Sequence, residues 1–169
     1  EKDTAYISFL NQIRAVYYEH KAEFILKSHA SDQKLITANL LMQKAEKLLE
    51  DLCNQDIRNN CRRDLLVVYF KRAEMQIELR KRNLSAPDTK SPENLDLSDI
   101  EEISTANLAD TKALVYYTVA MKEANQLFIE TRTPLSRHDY LTILAKIGDL
   151  YFLNTESGYC MQKADAYYM

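Results

Sequence analysis

Leu35-Ile36-Thr37-Ala38-Asn39-Leu40-Leu41-Met42-Gln43-Lys44-Ala45-Glu46-Lys47-Leu48-Leu49-Glu50-Asp51-Leu52 is the stretch that decides the fold class. Apolar residues return at 35, 38, 41, 42, 45, 48, 49 and 52, steps that lay one stripe along a helix and leave no two-residue alternation for a strand. Ser31 and Asp32 stand where an N-cap belongs, so a helix is predicted from there to Asn54. Working outward, the preceding residues predict a first helix over 4–28 with an apolar stripe at Phe9, Ile13, Val16, Tyr17, His20 and Phe24. Downstream, Asp56 offers a cap for a third helix reaching Asn83, with Cys61, Leu65, Val68, Tyr69, Arg72, Ala73, Gln76 and Ile77 along one side. Short links between long helices force antiparallel neighbours, so residues 4–83 are expected to form an up-down-up layer.

Composition agrees with helices. Two glycines and three prolines in 169 residues are too few for the tight turns of a sandwich, a Rossmann unit or a P-loop. Hydrophobic content of 46% with 28% charge suits a globular chain rather than a disordered one. No apolar run has the length of a membrane span and no secretion signal opens the sequence, which makes a cytoplasmic protein the expectation. The three cysteines, Cys53, Cys61 and Cys160, form no C-x-x-C pair and suit a reducing compartment. Asn83-Leu84-Ser85 is a sequon expected by chance. The first residue is Glu1 rather than methionine, and the last stretch is apolar-periodic without a stop signal, so the chain reads as a piece of something longer.

Residues 84–97 hold two of the three prolines and no helical stripe, and they read as an acidic linker between a three-helix layer over 1–83 and a helical layer over 98–169. Ser98-x-x-Glu101 has the form of a capping box, opening a helix from near Asp99, with a break near Ser104-Thr105, to Thr131. Its stripe is Leu114, Tyr117, Ala120, Met121, Ala124, Leu127 and Phe128. Thr133-Pro134 should stop it, and Ser136-x-x-Asp139 should cap the next helix, with Tyr140, Leu141, Leu144, Ile147, Gly148 and Tyr151 inward as far as Leu153. A last helix is predicted from Glu156 or Ser157.

Residues 1–83 carry fifteen lysines and arginines against twelve acids, and residues 84–169 seven against thirteen. The net charge of -3 therefore conceals a basic third helix, with Arg58, Arg62, Arg63, Lys71, Arg72, Arg80, Lys81 and Arg82, followed by an acidic linker. One reading makes Arg62, Arg63, Arg72, Arg80, Lys81 and Arg82 a docking strip for an acidic polymer, such as a tubulin tail or nucleic acid. The other, which is favoured, is a solvated helix face partly neutralised by its own linker. Eleven tyrosines include the doublets Tyr17-Tyr18, Tyr116-Tyr117 and Tyr167-Tyr168. Neighbours on a helix point about 100° apart, so one ring of each pair enters a core while the other, as at Tyr18 and Tyr116, sits at its margin where a partner can meet it.

Catalytic patterns are absent: Gly148 and Gly158 belong to no phosphate loop, and there is no G-x-S-x-G or H-E-x-x-H. His29 with Asp32, or Cys53 with Cys61, has weak metal-ligand spacing; structural roles are expected for these residues, with His20 semi-buried on the first stripe and His29 and His138 in a loop or first turn. No cofactor or metal is expected. Ser91-Pro92 and Thr133-Pro134 are chance-level phosphorylation dipeptides.

Leu144-x-x-Ile147-Gly148-x-x-Tyr151, then Gly158 and Ala164-x-x-x-Tyr168, resembles a tetratricopeptide repeat, although the connection is about four residues too long and the final proline lies beyond the chain or is missing. The resemblance implies that Gly148 and Ala164 lie where two helices cross, with Ile147, Tyr151 and Tyr168 around them. Met42-x-x-Ala45-x-x-Leu48 echoes Met121-x-x-Ala124-x-x-Leu127, and long irregular units of this kind are similar to those of large cytoskeletal and ciliary scaffold proteins. The expectation is thus an all-α stack of about six antiparallel helices in a tetratricopeptide-like arrangement, non-enzymatic, binding other proteins, with a microtubule-associated or axonemal setting implied by the resemblance alone. The alternatives are the acidic-polymer binder and a helical-bundle enzyme built from scattered groups.

Overall fold

The computed structural model describes residues 2–28, 30–54, 59–85, 110–153 and 166–169. The chain is all-α, its helices packed against one another within each unit, and no strand occurs among the described residues. Its helices are α1 (Lys2–Lys27), α2 (Asp32–Asn54), α3 (Asn59–Lys81), α4 (Thr111–Thr131) and α5 (Pro134–Leu153). They fall into two compact units, Glu1–Ala86 and Pro87–Met169. The linker from residue 86 onward, the capping box at Ser98, and most of the last predicted helix lie outside the described residues, as do His29 and Cys160.

In the first unit the polar cross-links fix the helix directions. Gln12 donates to Asp64 and Lys71 to Glu19, each pair 52 residues apart, so α1 and α3 run parallel. Tyr69 donates to Glu50, Arg72 to Glu46 and Gln76 to Asn39, partners that descend α2 as α3 is climbed, so these two are antiparallel. This is the up-down-up order that short links require. The apolar centre joins Ala22, Leu35, Ala38, Met42, Met75 and Leu79, with Ile25, Leu26, Leu41 and Leu84 packed against it. Each fully buried leucine or methionine there contributes about 1.5–3 kcal/mol.

The end of α3 is closed by a Schellman motif. Asn83 adopts a left-handed φ of 53°, its N–H reaches the Arg80 carbonyl at 2.9 Å, and the Leu84 N–H reaches that of Leu79 at 2.9 Å. Leu84 then lies on the apolar centre beside Leu79, the contact that usually accompanies this cap.

α1 departs from its predicted packing. Phe9, Ile13, Tyr17 and Phe24 are exposed, Phe24 to 73%, and the inward positions are Ser8, Ala15, Glu19 and Ala22. His20, expected to be semi-buried, is exposed as well. The predicted stripe is therefore the outer face. Small residues on the opposite face let α1 approach α2 closely, and Glu19 meets Lys71 there.

In the second unit α4 and α5 are joined through residues 132–133, short enough to make them antiparallel. Leu114, Tyr117, Ala120, Ala124 and Leu127 are buried on α4, and Ile143, Ile147, Leu150 and Tyr151 on α5. α4 ends as Arg132 turns left-handed at φ 50° and its N–H bonds the Phe128 carbonyl. The cap of α5 lies three residues before the predicted one. Thr133 Oγ1 accepts the Ser136 N–H at 3.1 Å, and Pro134 occupies the first helical position, where its fixed φ favours the helix and its missing N–H leaves nothing unbonded. Ser136 is instead buried inside the first turn, and Leu141, predicted inward, is 50% exposed while Ile143 is buried.

Gly148 is a place of close approach: an added Cβ would stand 2.7 Å from Tyr168 Cε1. Tyr168 donates to Asp149 at 2.7 Å, which raises its phenol pKa, and Tyr151 stacks on Tyr167 with ring centres 5.7 Å apart. The partner across Gly148 is thus the Tyr168 ring, and Ala164 lies outside the described residues. The described helices have 20–26 residues, so a pair of them exceeds the 34-residue length of a tetratricopeptide unit, and the described residues do not form such a repeat.

Candidate functional site

The basic strip does not survive folding as one surface. Arg72 is fully buried, with Nε 3.1 Å from Glu46 Oε2 and Nη1 donating to Asn39 Oδ1. It is therefore removed from the docking set. A guanidinium enters a helical core only with its charge matched and its donors bonded; here Glu46 supplies the counter-charge, and Nε and Nη1 both donate. Gln76 Nε2 also donates to Asn39 Oδ1 at 3.4 Å, which fixes the orientation of that amide, because both neighbours are donors.

Arg82 is spent on structure too. Its Nη1 donates to the Ala30 carbonyl at 2.6 Å and its Nε to Glu78 at 2.8 Å, with Asp32 at 3.4 Å, so it clasps the α1–α2 link to the end of α3. Glu78 and Asp32 raise its pKa. Arg62 is half-buried, while Arg63, Arg80 and Lys81 are exposed. Seventeen residues separate Arg63 from Arg80, about 25 Å along the axis and about 260° round it, so they do not share a face. Tyr18 is half-buried beside Tyr17, ring centres 5.9 Å apart. Tyr116 is buried to 5% exposure together with Tyr117, so neither ring of that doublet is a margin residue.

The outer face of α1 is an unexpected surface. Tyr6, Phe9, Ile13, Tyr17 and Phe24 are 63%, 59%, 49%, 57% and 73% exposed. Their spacing confines them to an arc of about 80°, opposite the row of Ser8, Ala15 and Ala22. Scattered exposed apolar residues are ordinary, but aromatic residues recurring along one side of a helix have the composition of a protein interface.

Along the flank of α1 lies a charged cluster. Glu19, His20 and Glu23 offer ligand atoms within 4.8 Å of one another. Lys71 already bonds both carboxylates, and Lys27 bonds Glu23, so ammonium groups supply the charge that a metal ion would bring. Hydrogen bonds from Lys27 first, then Lys71, hold the Glu23 carboxyl down at about 2. The arrangement is a clamp between α1 and α3 rather than a metal centre.

The second unit has a groove of about 670 Å³ where α4 turns into α5. Phe128, Ile129, Pro134 and Leu141 form its apolar part, and Arg132, Thr133, Arg137 and His138 its polar part. Tyr140 stacks on Phe128, with ring centres 6.5 Å apart and planes 9° from parallel. No residue spacing announces this groove, because it arises where a left-handed residue ends one helix and a proline starts the next.

No described helix is long and apolar enough to cross a membrane. No protein-family model, curated protein or solved structure matches the chain.

Proposed function

We propose that the protein is a non-enzymatic section of a helical scaffold, similar in kind to tetratricopeptide-like arrays but with longer units, that binds other proteins through the side of its helix stack. The observation that carries this reading is the exposed stripe of Tyr6, Phe9, Ile13, Tyr17 and Phe24 on α1. A helix whose small residues and Glu19 are turned inward while its aromatic residues face out is suited to receive another helical face. Interfaces of this sort are dominated by a few aromatic anchors, and the stripe supplies four aromatic rings. A cytoskeletal or axonemal setting within the cytoplasm is part of the proposal and rests on the sequence resemblance. Binding of acidic polymers loses support, since Arg72 and Arg82 are engaged within the unit.

The experiment is photo-cross-linking in the parent protein with benzoyl-phenylalanine placed at Phe9, Ile13 or Phe24, and at Lys44 or Lys47 on the exposed side of α2 as controls. Cross-links to one protein surface from the α1 positions and not from the α2 positions are expected. Equal yields from both helices would overturn the reading.

A further inference from the structure

We infer that the α4–α5 groove is a second binding site, one for a short peptide segment that combines a bulky apolar side chain with flanking carboxylates. It rests on observations separate from the α1 face. Ile129 and Leu141 are 57% and 50% exposed on its walls, and the Phe128 ring, held by its stack on Tyr140, lines the groove with them. Folding ordinarily hides such residues; here two turns of helix present them together around a concave surface.

Charge identifies the occupant. Residues 84–169 contain two arginines and one histidine, and all three of these, Arg132, Arg137 and His138, line this groove. All three are exposed, and no ion pair or side-chain hydrogen bond engages them among the described residues. By contrast, Lys27, Lys71, Arg72 and Arg82 in the first unit are paired with acids. A concentration of unneutralised guanidinium beside apolar side chains fits carboxylates carried on an apolar peptide.

A polyanion fits less well. Two guanidinium groups beside apolar walls cannot follow a long phosphate backbone far, and such a backbone brings no apolar side chain for Ile129 and Leu141. Arg132 sharpens the point, for its left-handed φ of 50° is a conformation that favours glycine. Replacing it by glycine should relieve the backbone while removing the charge, which separates binding from folding.

The test uses the 169-residue chain and fluorescence anisotropy with an octapeptide of sequence Ser-Glu-Asp-Leu-Phe-Glu-Asp-Ser. Saturable binding in the micromolar range is expected, weakening as salt is raised. Arg137→Glu and Leu141→Ser should each weaken it about tenfold, the scale of one lost exposed pair plus repulsion, or of one lost apolar contact. Arg132→Gly should weaken it similarly while leaving Tm unchanged or higher. Substituting Leu-Phe by Ser-Ser, or the acids by their amides, should abolish binding. Three results would overturn the inference: no saturation at millimolar peptide, full affinity in Arg137→Glu, or equal affinity for a single-stranded oligonucleotide. Cross-linking from α1 is unaffected by any of them, so the two sites fail or stand separately.

Discussion

α1 and α2 lie against each other, have similar lengths and read as equally helical, yet they use their residues in opposite ways. On α2 the apolar stripe is the core: Leu35, Ala38, Met42, Ala45, Leu49 and Leu52 are all buried. On α1 the stripe faces out, and the buried row is Ser8, Ala15, Glu19 and Ala22. The difference teaches that amphipathic spacing locates an apolar face but not what covers it. What turns α1 is its neighbours, since α3 offers Asp64 and Lys71 to Gln12, Glu19 and Glu23, and α2 offers a close seat for Ala22. A helix oriented with its aromatic residues inward would strand Lys71 without carboxylates and hold the helices apart.

The strongest test of this comparison lies where α2 meets α3. Arg72→Ala should cost about 3–5 kcal/mol, because Glu46 would remain buried without its cation. The double change Arg72→Met with Glu46→Leu should be close to neutral by chemical denaturation; a double variant as unstable as the single one would show that packing, not charge, fills this position.

Next come the two apolar faces themselves. Met42→Ala on α2 should cost about 2–5 kcal/mol, since it empties a position that is 0% exposed. On the inner face of α1, enlarging rather than shrinking does the damage, so Ala22→Leu should cost about 1–3 kcal/mol by overpacking the seat against α2. A stabilised Ala22→Leu protein would place α1 elsewhere.

A smaller effect is expected from acid. Glu23 is held at about 2 in the folded protein, below the ordinary carboxylate range, so its stabilisation is complete above about pH 4.5 and fades as pH falls towards 2. After solvent screening it should contribute about 1 kcal/mol. The stability difference between the natural protein and Glu23→Gln should accordingly close over that interval in denaturant titrations at stepped pH.

The smallest effect is predicted for the most apolar residues. Phe9→Ser and Phe24→Ser should change stability by less than about 0.5 kcal/mol, because both rings are already in water. Calorimetric losses of the size expected for Met42→Ala would return the stripe to the core and remove the support for an interface.

How much was legible follows the same division. The breaks between elements were written in local chemistry: Ser31 before α2, where the Leu35 N–H bonds its carbonyl, and Pro134, which could not continue α4. The α5 cap was displaced to Thr133 because a proline at the first helical position outweighs a serine two residues later. The inner face of α1 did leave a trace, the seven-residue spacing of Ser8, Ala15 and Ala22, matched by Ala38 and Ala45 on α2. Small residues recurring once every two turns mark a close helix approach, a signal that the aromatic stripe overshadowed. The Arg132 groove left none, since its walls come from two helices and its shape from a left-handed backbone angle.

Sequence alone therefore determined that the chain is helical, where most helices begin and end, and that it lacks the glycines for phosphate loops. Those properties depend on neighbours a few residues away. Which face of α1 is buried, that Arg72 is core and not surface, and that Arg132, Arg137 and Leu141 border one groove were decided by tertiary structure alone. They depend on which charges and volumes arrive from residues tens of positions distant, and a periodic pattern within one helix carries no record of those.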